Sequence, residues 1–114
     1  MSGITTHVLD TTSGKPAVGV AVRLERQGRP QEWEPVGRGR TDTDGRLGTL
    51  LGDAAAATPG IYRLIFDTAA YFAMLGIAAF HPHVAVEFEV VDGKAHHHVP
   101  LLLGPYSYTT YRGS

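Results

Sequence analysis

Apolar and polar residues alternate with a period of two along several short stretches of the chain. Val18, Val20, Val22 and Leu24 alternate with Gly19, Ala21, Arg23 and Glu25. Tyr62, Leu64 and Phe66 alternate with Arg63, Ile65 and Asp67, and Val84, Val86, Phe88 and Val90 alternate with Ala85, Glu87, Glu89 and Val91. Val99, Leu101 and Leu103 alternate with His98, Pro100 and Leu102. Near the start, Ile4, Thr6 and Val8 alternate with Thr5, His7 and Leu9. Period-two alternation marks a strand with one face buried. Weaker strands are predicted over Glu32–Gly37, Arg46–Leu51 and Tyr106–Arg112. The turn signals between strands are Ser13-Gly14-Lys15-Pro16, Asp44-Gly45, Thr58-Pro59-Gly60 and Asp92-Gly93. The last reads as a hairpin turn between two strong strands. Thr68–Gly76 is the single helical prediction, with Thr68 as cap and Gly76 as stop. Seven or eight strands and one short helix in 114 residues predict an all-β sandwich.

The segment His97–Leu103 departs from the one-sided pattern. Val99, Leu101 and Leu103 make one face apolar, and Pro100 and Leu102 make the other apolar as well. A second buried face on so small a chain is expected to meet another subunit. His98 shares the face of Pro100 and Leu102. His7 shares the face of Leu9 if Ile4 and Val8 lie in the core. Both histidines are therefore expected away from the monomer core, at a subunit interface.

Composition narrows the picture. The length suits one domain spanning residues 1–114. The formal net charge is -1, which argues against a nucleic-acid partner. There are no cysteines, so disulfides, thiolate metal sites and cysteine nucleophiles are excluded together. No apolar run approaches the ~20 residues of a membrane-spanning helix, so no membrane partner is expected. The segment Met1–Thr6 lacks the basic region and apolar core of an export signal, and a cytoplasmic location is expected. Ala54–Ala57 is the only compositionally biased stretch.

Histidine is the enriched reactive residue, with six copies: His7, His81, His83, His96, His97 and His98. Neutral imidazole is both a general base near pH 7 and a metal ligand. His81/His83 and His96/His98 are His-x-His pairs, which on a strand project from one face. The plainer reading, with His83 and His96 as solvated turn or strand-end residues, is favoured. No carboxylate lies nearby in sequence, and no metal is assigned. Nucleophile-elbow, Ser-x-x-Lys and phosphate-loop motifs are absent. Gly37-Arg38-Gly39-Arg40 reads as a solvated basic turn. Arg46 follows the Asp44-Gly45 turn directly, and taken alone it reads as a member of a surface ion pair. Tyr106–Arg112 is β-prone and carries three tyrosines; by alternation Tyr111 shares a face with Thr109, and Tyr108 with Thr110.

Three segments together carry a family resemblance. His7-Val8-Leu9-Asp10, Thr41-Asp42-Thr43-Asp44-Gly45-Arg46 and the run from His98-Val99-Pro100-Leu101 through Tyr111-Arg112-Gly113-Ser114 resemble the 5-hydroxyisourate hydrolases, transthyretin-like enzymes of urate breakdown. The similarity runs from Ile4 to Ser114. The ending Tyr-Arg-Gly-Ser and His98 are features of the enzymes and not of the hormone carriers. Gly104 stands where the family usually has Ser, and His97 where it often has Tyr.

The resemblance implies a transthyretin-like β-sandwich of two four-stranded sheets with one short helix. It implies a homotetramer, a dimer of dimers, with sites in the channel between dimers. It implies hydrolysis of 5-hydroxyisourate to 2-oxo-4-hydroxy-4-carboxy-5-ureidoimidazoline without a cofactor. The implied catalytic residues are His7, Arg46, His98, Tyr111 and Ser114. The first four also bind substrate; Arg40 does not occupy the family's arginine position. These residue types suit attack of water on a cyclic amide. A neutral His removes the water proton, and Arg46 meets the substrate's oxygens and disfavours imidazolium nearby. Which His is the base stays open. Two other readings stand beside this one: a hydrophobic-ligand carrier of the same fold, for which the polar set has no use, and a metal-dependent sandwich built on the histidines.

Overall fold

The computed structural model describes residues 3–51 and 57–114, so Ala54–Ala56 lie outside the described residues. Among the described residues, β1 is Gly3–Asp10, β2 Lys15–Pro16, β3 Ala21–Gln27, β4 Trp33–Arg40 and β5 Arg46–Leu47. They are followed by β6 Gly60–Phe66, α1 Thr68–Met74, β7 Val84–Val90, β8 His96–Leu103 and β9 Tyr108–Thr110. One sheet runs β2-β1-β8-β9, with β5 also paired to β1; the other runs β4-β3-β6-β7. The expected sandwich is present, and the short β5 adds a fifth strand to the first sheet.

The alternation read along β1 becomes a strict alternation of burial. Ile4, Thr6, Val8 and Asp10 are buried, while Gly3, Thr5, His7 and Leu9 are half-covered on the opposite face. Ile4, Val8, Leu101 and Leu103 pack from the first sheet against Val22, Leu24, Leu64 and Phe66 of the second. The β1–β8 pairing is parallel and sets Thr5 opposite His98 and His7 opposite Pro100. The buried Thr6 hydroxyl donates to the Val99 carbonyl at 2.6 Å. A polar side chain inside the sandwich thereby reinforces the ladder.

Several elements differ from expectation for identifiable reasons. β3 starts at Ala21, not Val18, which is 50% exposed. The preceding segment is held by Thr41, whose hydroxyl donates to the Ala17 carbonyl and accepts the Val20 N–H. β4 runs beyond Gly37 to Arg40, because an edge strand tolerates a wet, charged sequence. β5 stops at Leu47, although Leu50 beyond it is fully buried without pairing. β9 covers only Tyr108–Thr110 of the predicted C-terminal strand.

Asp92-Gly93 is not a hairpin turn, since β7 and β8 belong to different sheets. Its local chemistry is that of a turn, with Asp92 Oδ1 accepting the Lys94 N–H at 2.9 Å, but the chain crosses the sandwich there. Thr68 does not cap α1 either. The cap position is Asp67, which makes no side-chain capping bond, and Thr68 is buried with an unpartnered hydroxyl. The predicted stop at Gly76 is present. Gly76 has φ +71, and the N–H groups of Gly76 and Ile77 return to the carbonyls of Ala73 and Phe72. These are the paired bonds of a Schellman ending.

Part of the second apolar face of β8 is covered by the chain itself. Pro100 is buried, its carbonyl accepts the Thr110 hydroxyl at 2.7 Å, and Gly113 lies against its ring. Leu102 on the same face is half-buried.

The helix is tied to the first sheet through Asp10, which is 2% exposed. Its carboxylate accepts the Tyr71 hydroxyl at 2.8 Å and the Thr12 N–H at 2.8 Å. Burial, then the hydrogen bond and charge of Asp10, push the Tyr71 phenol up to about 12. Removing one donor from a buried carboxylate costs about 1–3 kcal/mol. Tyr71→Phe is therefore expected to lower the urea-unfolding free energy at pH 7 by about that much. A raised phenol pKa stabilises the fold fully below the unfolded value near 10, and the contribution is lost as pH climbs toward about 12. The decline of stability across that window should be shallower in Tyr71→Phe than in the parent protein.

Candidate active site

The outer face of the first sheet collects residues far apart in sequence. Thr5 and His7 point outward from β1. Parallel pairing brings His98 beside Thr5 and His96 beside Gly3 on that face. Antiparallel pairing of β1 with β5 puts Arg46 opposite His7. On the far side of β8 the chain returns antiparallel, Leu101 opposite Thr110, and continues in register to a bridge between His98 and Gly113. The Gly113 N–H donates to the His98 carbonyl at 2.8 Å. A groove of about 240 Å³ opens between these segments, lined by Thr5, Arg46, Leu47, His96, His98 and Ser114 among others.

Arg46 reaches this position through a turn built by Asp42. Its carboxylate Oδ1 accepts the N–H groups of Asp44 and Arg46, each at 2.9 Å. The turn was legible at Asp44-Gly45, but the carboxylate that holds it is Asp42's. Gly45 has φ +75, and a Cβ there would stand 2.4 Å from the Val8 carbonyl oxygen. That carbonyl is pressed on the turn because β1 also receives it: the Val8 N–H donates to Gly45 O at 2.8 Å. The Arg46 N–H, and after it the Asp44 N–H, hold the Asp42 carboxyl below its usual range, with smaller help from the charges on Arg46 and His7. Arg46 is exposed and takes part in no ion pair among the described residues, so the surface-pair reading does not hold.

The His98 imidazole is held from two sides. Its Nδ1 lies 2.8 Å from Thr5 Oγ1, and the same oxygen lies 2.8 Å from His96 Nε2. On the other side a Cβ on Gly113 would stand 2.6 Å from His98 Cδ2, so only glycine fits there. Burial, then the charges of His96, Arg46 and His7, push the His98 imidazole below its ordinary pKa. A neutral imidazole at pH 7, next to an unpaired guanidinium and open to a groove, is equipped to accept a proton.

The other named residues fall differently. Ser114 lines the groove. Tyr111, 56% exposed, lines an adjoining cleft of about 230 Å³ with Glu87, Phe88, His97, Arg112 and the other flank of His98. Arg40 lies elsewhere, with its Nη1 donating to the Gly19 carbonyl at 3.0 Å. His97 is in the core, with Nδ1 3.0 Å from the Ala95 carbonyl. His81 and His83 precede β7 and share no strand face; His83 is exposed, and His81 packs edge-on against Phe80 and Tyr108. His96 begins β8 half-buried and bonded to Thr5, and is not a solvated strand end. Among the described residues no cluster of three or more His, Cys, Asp or Glu could hold a metal ion. Sequence reasoning overlooked Thr5 and Asp42. Thr5 shares the parity of His7, but its place beside His98 depends on a pairing that no local pattern encodes.

The model of the HIUase/Transthyretin family matches residues 4–113. The chain belongs to this family. A 5-hydroxyisourate hydrolase of Mus musculus is 47% identical over 114 residues, covering 99% of this chain and 96% of that one. The solved Klebsiella pneumoniae 5-hydroxyisourate hydrolase superimposes with a TM-score of 0.87 at 36% identity, covering both chains completely. Sea bream transthyretin in complex with thyroxine superimposes with a TM-score of 0.89 at 32% identity, covering 96% of this chain and 93% of that one. The family thus joins hydrolases and a hormone-binding protein on one backbone, and the side chains of the groove must separate them.

The lowered His98 pKa has a measurable consequence. In an NMR titration its ring should change state below pH 6.5, and replacing Arg46 by Gln should move that midpoint upward. A depressed imidazole pKa stabilises the fold fully above about 6.5 and loses that contribution as pH falls through the folded value.

Proposed function

We propose that this chain hydrolyses 5-hydroxyisourate to 2-oxo-4-hydroxy-4-carboxy-5-ureidoimidazoline, in urate degradation. The observation that carries the reading is the meeting of His7, Arg46 and His98 on one sheet face, from three separate strands, in a chain of this family. Water is a weak nucleophile at pH 7, so a base must take its proton as it attacks the ring amide. A neutral His near the substrate does this, while Arg46 meets the ring oxygens and stabilises the charge developing on the attacked carbonyl. The second His protonates the departing nitrogen. Ser114 contacts substrate from the groove wall and Tyr111 from the neighbouring cleft. No covalent intermediate is required. A hydrophobic carrier would gain nothing from an unpaired arginine beside imidazoles, which must be desolvated to bury an apolar ligand.

The working form in this reading is a homotetramer, a dimer of dimers, with the groove facing the channel between dimers. Support comes from exposed apolar residues that one chain leaves uncovered, among them Val18, Met74, Leu75 and Phe80.

The direct test is addition of the protein to freshly generated 5-hydroxyisourate while its ultraviolet absorbance decays. His7→Ala and His98→Ala are each expected to lower kcat by about 100-fold or more, as loss of a positioned acid or base does. Arg46→Lys should also be impaired, since an ammonium does not reproduce planar bidentate contact. Turnover near the parental rate in any of these would remove that residue from the mechanism.

Light scattering tests the assembly. Leu102→Glu is expected to dissociate the tetramer and abolish turnover together, whereas a parent protein that is monomeric at micromolar concentration would refute the channel.

A further inference from the structure

We infer that Thr5 is a positioning residue: its hydroxyl, shared between His96 and His98, holds His98 as the Nδ1–H tautomer with a bare Nε2 at the groove. The inference rests on the hydrolytic reading above and takes His98 as the base of that reaction.

Thr5 Oγ1 lies 2.8 Å from His96 Nε2 and 2.8 Å from His98 Nδ1. The two rings stand 6.2 Å apart between centroids and tilted by 40°, so the hydroxyl is the polar link between them. A hydroxyl has one proton to donate and can accept others. It cannot donate to both rings, so at least one ring nitrogen must carry a proton and give it to Thr5. If Thr5 donated to His98, the His98 proton would sit on Nε2, and the ring would have no lone pair for water. A basic His98 therefore requires Nδ1–H donating to Thr5, with the Thr5 hydroxyl free to donate to a neutral His96. Which nitrogen of a histidine carries the proton is set by the bond its other nitrogen makes.

The chemistry closes in this arrangement. As water attacks, one O–H bond breaks and an Nε2–H bond forms, while the electron pair left on oxygen makes the new bond to the amide carbon. The imidazolium so formed keeps its Nδ1–H on a hydroxyl oxygen. The proton on Nε2 then passes to solvent, while the nitrogen that leaves the ring takes its proton from the second His. The fold fixes the geometry from both sides. Thr5 and His98 are direct partners across β1 and β8, and Gly113 closes on Cδ2. Among the described residues no hydrogen bond engages His98 Nε2.

Thr5→Val preserves the β-branched shape and removes the hydroxyl, whereas Thr5→Ser retains it. Thr5→Val is expected to lower kcat about 10- to 100-fold, by analogy with the loss of a group that orients a metal-bound histidine, with KM changed less than about threefold. Thr5→Ser should recover most of the rate. Nitrogen-15 NMR of the histidine-labelled parent above pH 8 should show His98 protonated at Nδ1 and bare at Nε2, with the two tautomers mixed in Thr5→Val. Parental kcat in Thr5→Val, an equal loss in Thr5→Ser, or a parent spectrum with the proton on Nε2 would each overturn the inference. The parent spectrum needs no variant, so poor folding of Thr5→Val leaves that test intact. A parent protein that does not accelerate decay of 5-hydroxyisourate defeats the hydrolytic reading instead, a distinguishable outcome.

Discussion

The parallel register of β1 against β8 is the constraint on which the site depends. It sets Thr5 beside His98, while the pairing of β5 on the same strand sets Arg46 beside His7. A slip of one residue would turn His7 inward and expose Ile4 and Val8, because strand side chains alternate faces. Burying each such aliphatic side chain is worth about 1.5–3 kcal/mol. A single hydrogen bond in the groove contributes only about 0.5–1.5 kcal/mol. The apolar interior, with Ile4, Val8 and Leu101 fully buried, therefore holds the polar groups in place more firmly than they hold one another.

Two excursions of the chain complete what the register begins. On one side, the Asp42 carboxylate folds residues 42–46 into a turn that delivers Arg46 to β1. On the other, the segment after β9 returns along β8 until Gly113 bonds the His98 backbone. Both depend on glycine for closeness: Gly45 against the Val8 carbonyl and Gly113 against the His98 ring. The same returning segment shields Pro100, so that Leu102 is the apolar residue left part-exposed on that face of β8. The groove residue His98 and the half-buried apolar Leu102 thus lie on one strand face.

Period-two alternation carried much of this in advance. It separated Ile4 and Val8 from His7, and Val99 and Leu101 from His98, so the shared outward face of the two histidines was legible from parity alone. Parity does not say which strands are neighbours, and so Thr5 was passed over. The same limit explains Asp92-Gly93: its side-chain bond to Lys94 is that of any tight turn, whether the next strand returns in the same sheet or crosses to the other. Thr68 looked like a helix cap because its residue type favours caps. Burial against the core took its hydroxyl away from the backbone, and tertiary packing overrode the local preference.

The distribution of charge around the groove favours neutral imidazoles. His96, His98 and Arg46 line it, and no acidic side chain does. A carboxylate beside His98 would favour imidazolium and pair with Arg46, removing both the lone pair and the free cation. Asp42 sits instead in the turn that carries Arg46, where its Oδ1 is occupied by two backbone N–H groups. Its charge orders the loop without competing for the guanidinium. Burial and the permanent charge of Arg46 then act on His98 in the same direction, lowering its pKa, while the guanidinium stays out of any ion pair among the described residues. A site assembled this way gains basicity at neutral pH from the absence of acidic side chains in its lining as much as from the presence of histidine.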